Sequence, residues 1–394
     1  MISRGTVREV PRMQKVRSLL MLTSEFPPGP GGIGTHAHQL AVQLANLGWK
    51  ISVFGAQDYA SAEEIEAFNR RQPFRIHRAP DHLRRLGGMW GAWQVLRREQ
   101  PDLALASGEH VVYMAAALDK LKQRPWVAIE HGWIPTKTLL PMKRWAFNRA
   151  SAVISVSNYS SGKLLEMGVQ PRRAITIWNG ADPARFRTLP AAERGRARAK
   201  LGIRDGRLLV TVGTVSKRKG QDVAIRALPR ILEKHPSTHY AMAGCPDLAD
   251  EFSRIAESLG VRERVHFLGK VDGGTVVDLL NDADLALLTS RHVPEGFEGF
   301  GIAVIEAALC STTSVVTANS GLTEAVVDGQ TGIVVPPEDP EAIAEAVTRL
   351  LDDDALRTRL ETTGRERALR ELTWERVAKK YDEVLGSVLD ESGR

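Results

Sequence analysis

Two carboxylates and a run of cations carry the strongest chemical signal in this 394-residue chain. Glu298 and Glu306 bracket the segment Glu298-Gly299-Phe300-Gly301-Ile302-Ala303-Val304-Ile305-Glu306. If a helix starts near Phe300, its first amides can receive an anion, with Glu298 just before it and Glu306 about two turns along. One carboxylate can then meet a sugar ring while the other holds vicinal ribose hydroxyls. Two glutamates at this spacing are ordinarily a helix-start charge and a surface residue. Glu306, however, sits among Ile305, Ala307, Ala308 and Leu309, which argues against a solvated position. A second segment, Gly213-Thr214-Val215-Ser216-Lys217-Arg218-Lys219-Gly220, places three consecutive cations before a helical pattern. Lys and Arg neutralise phosphate charge while helix amides bind its oxygens, so this is a candidate diphosphate cradle; a solvated basic loop has the same composition. A third, Pro27 to Gly34, is glycine-rich and precedes an amphipathic pattern (His38, Leu40, Ala41, Leu44, Leu47). Glycines there let backbone approach a phosphate, and a purely structural turn explains the same residues. It does not fit G-x-G-x-x-G, and no acidic residue follows Phe54-Gly55-Ala56.

These segments need elements to hold them, and the chain supplies two series of short apolar runs alternating with helical patterns. Leu19 to Thr23, Ile51 to Phe54, Leu103 to Ala106, Val127 to Glu130, Ala152 to Val156 and Ile175 to Ile177 form the first series of expected strands. Leu208 to Val212, His239 to Ala243, Val265 to Leu268, Leu285 to Leu288, Ser314 to Thr317 and Gly332 to Val334 form the second. The polar stretch Thr188 to Arg198 separates them and reads as the linker. The expected architecture is α/β, with two facing Rossmann-like domains, parallel sheets and an interdomain cleft. Residues 1–190 form the first domain, 191–372 the second, and 373–394 a terminal helix whose periodic Trp374, Val377, Tyr381, Val384, Leu385 and Val388 return toward the first.

Composition narrows the class. Hydrophobic residues at 43% and charged residues at 25% exclude wholesale disorder. No apolar run approaches the roughly 20 residues of a membrane helix; Val111 to Leu118 is among the longest. The start of the chain does not read as a signal peptide, because charges interrupt its short apolar stretch. Cys245 and Cys310 are the only cysteines, which rules out a disulfide framework and suggests a cytoplasmic location. Residues 1–190 hold 26 Lys and Arg against 14 Asp and Glu, whereas 191–394 hold 27 against 33. The excess positive charge belongs to the first half, with Arg70, Arg71, Arg75, Arg78, Arg84, Arg85, Arg97 and Arg98 as candidates to meet an anionic acceptor or membrane surface. Within it, Met89 to Arg98 reads either as an interfacial helix or as core.

Taken together, these motifs resemble the retaining glycosyltransferases of the GT-B fold, family 4 (glycosyltransferase group 1). The resemblance runs through PPGPGGIGTH near the start, EHG at 130–132, WNGAD at 178–182, VGTVSKRKG at 212–220, HFLGKV at 266–271 and EGFGIAVIEA at 298–307. It continues in the SGLTEAVVDGQTGIVVPPEDPEAIAEAV tail. It implies a donor site in which Glu298 contacts the sugar and Glu306 the ribose, while Phe300, Gly301 and Ile302 supply amides. Lys219 matches the phosphate-binding lysine, Gly34 the glycine that brings the first-domain loop onto the diphosphate, and His131 the histidine beside the reacting sugar. Lys270 and Val271 lie where the base is held. The family commonly has Gly-Arg where this chain has Gly213-Thr214, which leaves Arg218 to supply the second diphosphate cation. The resemblance implies no metal and no cofactor, with a UDP-, GDP- or other nucleotide sugar as donor. The acceptor is a hydroxyl, anionic or lipid-linked, in cell-surface glycan, glycolipid or secondary-metabolite synthesis. The expected location is cytoplasmic or peripheral on the inner face of the membrane.

Other chemistries fit these residues less well. Asp282-Ala283-Asp284 has the D-x-D spacing of metal-dependent transferases but sits where a helix passes into a strand, which favours a capping role. His36 and His38 lack further ligands and read as helix surface. A nucleotide-sugar 2-epimerase shares the fold, and a non-catalytic binder of anionic surfaces would explain the basic half without needing the glutamate pair. The missing dinucleotide fingerprint argues against an NAD-dependent oxidoreductase, and nothing points to nucleic acid.

Overall fold

Runs such as Leu19-Leu20-Met21-Leu22 and Leu285-Ala286-Leu287-Leu288 have no polar side to offer water, so they are stable only where helices cover both faces of a sheet. The computed structural model describes residues 16–29, 31–55, 60–79, 86–122 and 124–393, and all eight of these residues are buried in it. The first half alternates β1 (Ser18–Thr23), α1 (Gly32–Asn46), β2 (Lys50–Gly55), α2 (Ala62–Arg70), β3 (Arg75–Arg78), α3 (Leu86–Glu99) and β4 (Leu103–Ser107). It continues with α4 (Glu109–Lys122), β5 (Trp126–Glu130), α5 (Leu140–Phe147), β6 (Ala152–Ser155), α6 (Asn158–Glu166) and β7 (Ala174–Thr176). The second half runs α7 (Arg196–Lys200), β8 (Arg207–Val212), α8 (Gln221–Lys234), β9 (Thr238–Ala243), α9 (Ala249–Ser258), β10 (Val265–Gly269), α10 (Gly273–Asp282) and β11 (Leu285–Leu288). It closes with α11 (Ile302–Leu309), β12 (Ser314–Thr317), α12 (Leu322–Ala325), β13 (Ile333–Val335), α13 (Pro340–Asp352), α14 (Asp354–Glu371) and α15 (Trp374–Glu391).

Two wholly parallel sheets result, in the orders β3-β2-β1-β4-β5-β6-β7 and β10-β9-β8-β11-β12-β13. Each order reverses beside its first strand, the switch point where open α/β sheets bind ligands. The carboxyl ends of the sheets face each other: Trp133 and Gly296 form an isolated antiparallel bridge across the cleft, and Phe297 N–H donates to the Gly132 carbonyl at 3.1 Å. The terminal helix α15 lies against α1, burying Trp374, Val377, Tyr381, Leu385 and Val388. Each such side chain contributes roughly 1.5–3 kcal/mol by leaving water, so detaching α15 would be costly.

Four details refine or depart from expectation. β3 was absent from the expected strands because Arg75-Ile76-His77-Arg78 is polar, as an edge strand tolerates. α11 starts at Ile302, two residues past Phe300; Gly301 adopts φ 89°, and a Cβ there would overlap Leu322, so the chain turns before the helix begins. The linker is partly helical, with a 3-10 turn at Ala191–Glu193 and the start of α7. His36 is not on the helix surface: it is fully buried, its Nε2 3.2 Å from the Tyr381 hydroxyl and its ring edge-on to Trp374.

Candidate active site

In the second domain the cation run and the first glutamate converge. β8 ends at Val212, and the chain passes through a 3-10 turn at Lys217–Lys219 into α8. Gly220 makes this passage possible, since it adopts φ 65° and a Cβ there would overlap the Thr289 carbonyl. Opposite, residues 289–299 leave β11. Arg291 fastens this loop with two bonds to Asp222 at 3.1 and 3.0 Å, and its N–H donates to the Arg218 carbonyl at 2.9 Å. The result is that Glu298 Oε2 accepts from Lys219 Nζ at 2.6 Å and from Arg218 Nη1 at 2.9 Å. Burial alone would push the Glu298 carboxyl up; Lys219, then Arg218, outweigh it and hold it at about 2. Arg218 therefore points into the site, while Thr214 contributes its carbonyl to Gln221 Nε2 at 2.9 Å. Gly213 lies against the Lys219 stem.

Glu306, on the second turn of α11, does not touch Glu298. Burial raises its carboxyl to about 7, against the pull of Arg185 and then Lys219. Arg185 was not among the expected site residues. It comes from the segment after WNGAD and its guanidinium stacks on Phe186 while lying over Gly273 at the start of α10, beside the Lys270 and Val271 loop. Phe300 is buried and stacked on Trp178 at 6.3 Å, so it shapes the wall of the site and only its backbone is available. Gly299 is pressed so closely on the His131 carbonyl that a Cβ would not fit.

The first domain brings His131 to this wall. Glu130 Oε1 accepts the N–H groups of Gly132 and Trp133 at 2.8 and 3.2 Å, which curls the chain after β5. Buried Lys143 then ties Glu130 Oε2 (3.0 Å) to Glu109 Oε2 (3.3 Å) and donates to the Trp133 carbonyl. His131 Nε2 meets Ser107 Oγ at 2.9 Å, and desolvation lowers its imidazole to about 4, so it is neutral at physiological pH. Gly34 is buried in the first turn of α1, packed on the Glu25–Phe26 backbone. Arg78 holds that loop by donating to the Phe26 and Pro27 carbonyls at 3.2 and 2.6 Å, which removes it from the expected outward-facing cations. Arg70 and Arg75 pair with Glu66 and Glu99, and Arg84 and Arg85 lie outside the described residues.

The D-x-D pair is consumed by structure. Asp282 accepts from the N–H groups of Gly195 and Ala197 at the start of α7, and Asp284 accepts from Leu208 N–H while pairing with Arg198 and Arg207. Among the described residues, no group of three or more His, Cys, Asp or Glu is placed to hold a metal ion, and no helix is long and apolar enough to cross a membrane.

Comparison with known proteins fits this geometry. Residues 193–367 match the family described as "Glycosyl transferases group 1", and residues 30–185 match "Glycosyltransferase Family 4". The chain is 30% identical to a GDP-mannose-dependent alpha-(1-6)-phosphatidylinositol monomannoside mannosyltransferase of Mycolicibacterium smegmatis, covering 93% of this chain and 98% of that one. It is 29% identical to a glycogen synthase of Mycobacterium tuberculosis, over 93% and 94% of the two chains. The fold matches Anabaena Alr3699/HepE, solved with UDP and glucose, with a TM-score of 0.81 at 22% identity over 94% of this chain and 100% of that one. With two facing parallel-sheet domains, a cation–glutamate cluster in the second of them, and matches along nearly its whole length, the chain belongs to the family 4 (group 1) glycosyltransferases of the GT-B fold.

Proposed function

We propose that this protein transfers a sugar from a nucleotide diphosphate donor to a hydroxyl acceptor with retention of anomeric configuration and without a metal ion. The observation that carries this reading is the convergence of Lys219, Arg218 and Glu298 on the wall that abuts His131. A departing diphosphate needs positive groups already in place, because fixed charges in a water-poor site cost no reorganisation during the reaction. Lys219, Arg218 and the amides opening α11 meet that need. The same two cations leave no separate task for a divalent ion. Glu298 orients the sugar, and neutral His131 can hydrogen-bond to a sugar hydroxyl without adding charge beside a developing oxocarbenium.

Among the described residues no side chain stands out as a nucleophile, which favours substitution on one face. The bond from the anomeric carbon to the phosphate oxygen breaks, the acceptor oxygen bonds to the same face, and the acceptor proton passes to the leaving phosphate. Glu306 receives the ribose hydroxyls, and Arg185 with the Lys270–Val271 loop borders the base. Two relatives bear names specifying GDP-mannose and the Anabaena structures hold UDP, so both nucleotides are candidates. On the acceptor side, α3 presents Met89 and Trp90 outward, Trp90 stacks on Trp93 at 4.7 Å, and Arg97 covers Trp93. Ala92, Val95 and Leu96 on the other side of α3 are core. This aromatic and cationic edge suits an anionic, lipid-linked acceptor at a membrane surface.

A thermal-shift screen of nucleotide sugars in EDTA tests the reading. A donor at about 100 times its Kd stabilises by roughly 2.7 kcal/mol, a readily measured shift. Stabilisation by no nucleotide sugar, or only after Mg²⁺ or Mn²⁺ is added back, would overturn it.

A further inference from the structure

One carboxylate of the second domain collects four hydrogen bonds from the first. Glu324, on α12, accepts the Tyr159 N–H at Oε1 (2.8 Å). Its Oε2 accepts the Asn158 N–H (2.9 Å), the Asn158 side-chain amide (2.9 Å) and the Trp178 indole N–H (2.7 Å). Asn158 and Tyr159 are the first two residues of α6, whose own cap, Ser157, takes the Ser160 N–H. Glu324 therefore satisfies two of the amides that a helix start leaves without partners, and it sets a negative charge against the positive end of that helix.

The same short turn holds the donor site from behind. Gly321 N–H donates to the Glu298 carbonyl at 2.9 Å, and Gly321 is packed on Gly299 so closely that no Cβ would fit. Trp178, gripped by Glu324, is the ring on which Phe300 stacks. Arg367 braces the turn by donating to the Glu324 and Ala325 carbonyls at 2.7 and 2.6 Å. Beside it, the Tyr159 hydroxyl lies 2.6 Å from His292 Nε2, which also meets the Asn319 carbonyl at 2.8 Å. Swinging the domains apart would strip all four donors from Glu324 together.

We propose that Glu324 is an interdomain latch, a positioning residue that holds the closed arrangement in which the His131 carbonyl abuts Gly299, next to Glu298. Its effect on turnover rests on the proposed function above; its effect on closure does not. The residue touches neither Lys219 nor Arg218, so it acts on the geometry between the domains and leaves the nucleotide's own contacts in place.

Double electron–electron resonance reads closure directly in the full chain. Cys245 and Cys310 are buried, so labels can be confined to Leu165→Cys on α6 and Lys234→Cys at the end of α8. With Glu324→Ala, the distance distribution should broaden toward longer values. UDP and GDP affinities should stay within about threefold, and hydrolysis of UDP-glucose or GDP-mannose, with water as the acceptor and free sugar plus nucleotide as products, should fall tenfold or more in kcat. A loss of fold stability alone would not produce that split. Glu324→Asp should recover part of the closed population. Trp178→Phe keeps an aromatic ring for Phe300 to pack on and removes one donor, so it should shift the distribution in the same direction by less, and it serves if the alanine variant fails to fold. An unchanged distribution in the folded variants overturns the latch. Binding of neither nucleotide by the wild type would instead sink the donor assignment and leave the distance result to decide the latch.

Discussion

Replacing Glu298 with Gln should make a bound diphosphate matter more to the protein's stability even as it slows transfer. In the native site one carboxylate oxygen holds Lys219 at 2.6 Å and Arg218 at 2.9 Å. The drop of the Glu298 carboxyl from its ordinary 4.5 to about 2 corresponds to about 3 kcal/mol in favour of the ionised form. Because the folded value is depressed, that contribution is present above pH 4.5 and is lost as pH falls through about 2. The Gln variant forfeits it at neutral pH and leaves two cations sharing one pocket. Lys219 has 16% of its side chain exposed and cannot reach water freely, whereas Arg218 at 37% can turn outward and be screened. The net destabilisation is therefore about 2 kcal/mol, below the full value of the pair. For a domain of this size that lowers Tm by roughly 4–8 °C. UDP or GDP returns the missing anion to the cations. Differential scanning fluorimetry at neutral pH should show a larger nucleotide-induced rise in Tm for Glu298→Gln than for wild type, while turnover falls by about 10² or more. A rise equal to or smaller than that of the wild type would mean that these cations do not meet phosphate.

Three further outcomes are expected. Arg218→Ala should lower kcat by about 10², the usual scale for one transition-state charge stabiliser, and adding Thr214→Arg should restore part of it; near-normal turnover would place the second cation elsewhere. Nucleotide affinity, followed by calorimetry across neutral pH, should rise as Glu306 ionises near 7, and Glu306→Gln should flatten that slope. The stability of the protein alone runs the other way, since a desolvated carboxyl raised above its unfolded 4.5 contributes fully below that pH and loses its contribution as pH rises through about 7. Flotation with vesicles should show binding to anionic lipid that weakens with salt and with Trp90→Ala, each surface cation adding about 1 kcal/mol; equal binding to neutral and anionic vesicles would discard the membrane surface.

What the sequence determined by itself is what depends on neighbours along the chain. A strand buried on both faces reads as a short run of apolar and small residues, so Leu285–Leu288 and Ser314–Thr317 were legible to the residue, while the polar edge strand Arg75–Arg78 was not. Glu298 and Glu306 were legible because one loop and one helix carry both, and the cations at 217–219 because they are consecutive. Tertiary structure alone decided the rest, because a side chain's environment is set by residues far away in sequence. His36 looked like helix surface until Tyr381, 345 residues on, covered it. Arg78 counted as surface charge until the Phe26 and Pro27 carbonyls occupied it, and Arg218, expected at the diphosphate, has its ion-pair partner in Glu298, 80 residues away. Glu324 carries no local mark at all: a carboxylate on a four-residue helix became the meeting point of four donors only because the two sheets face each other across a cleft. Hydrogen bonding and desolvation act over a few ångströms of space, and only the fold converts separations of fifty residues or more into such distances.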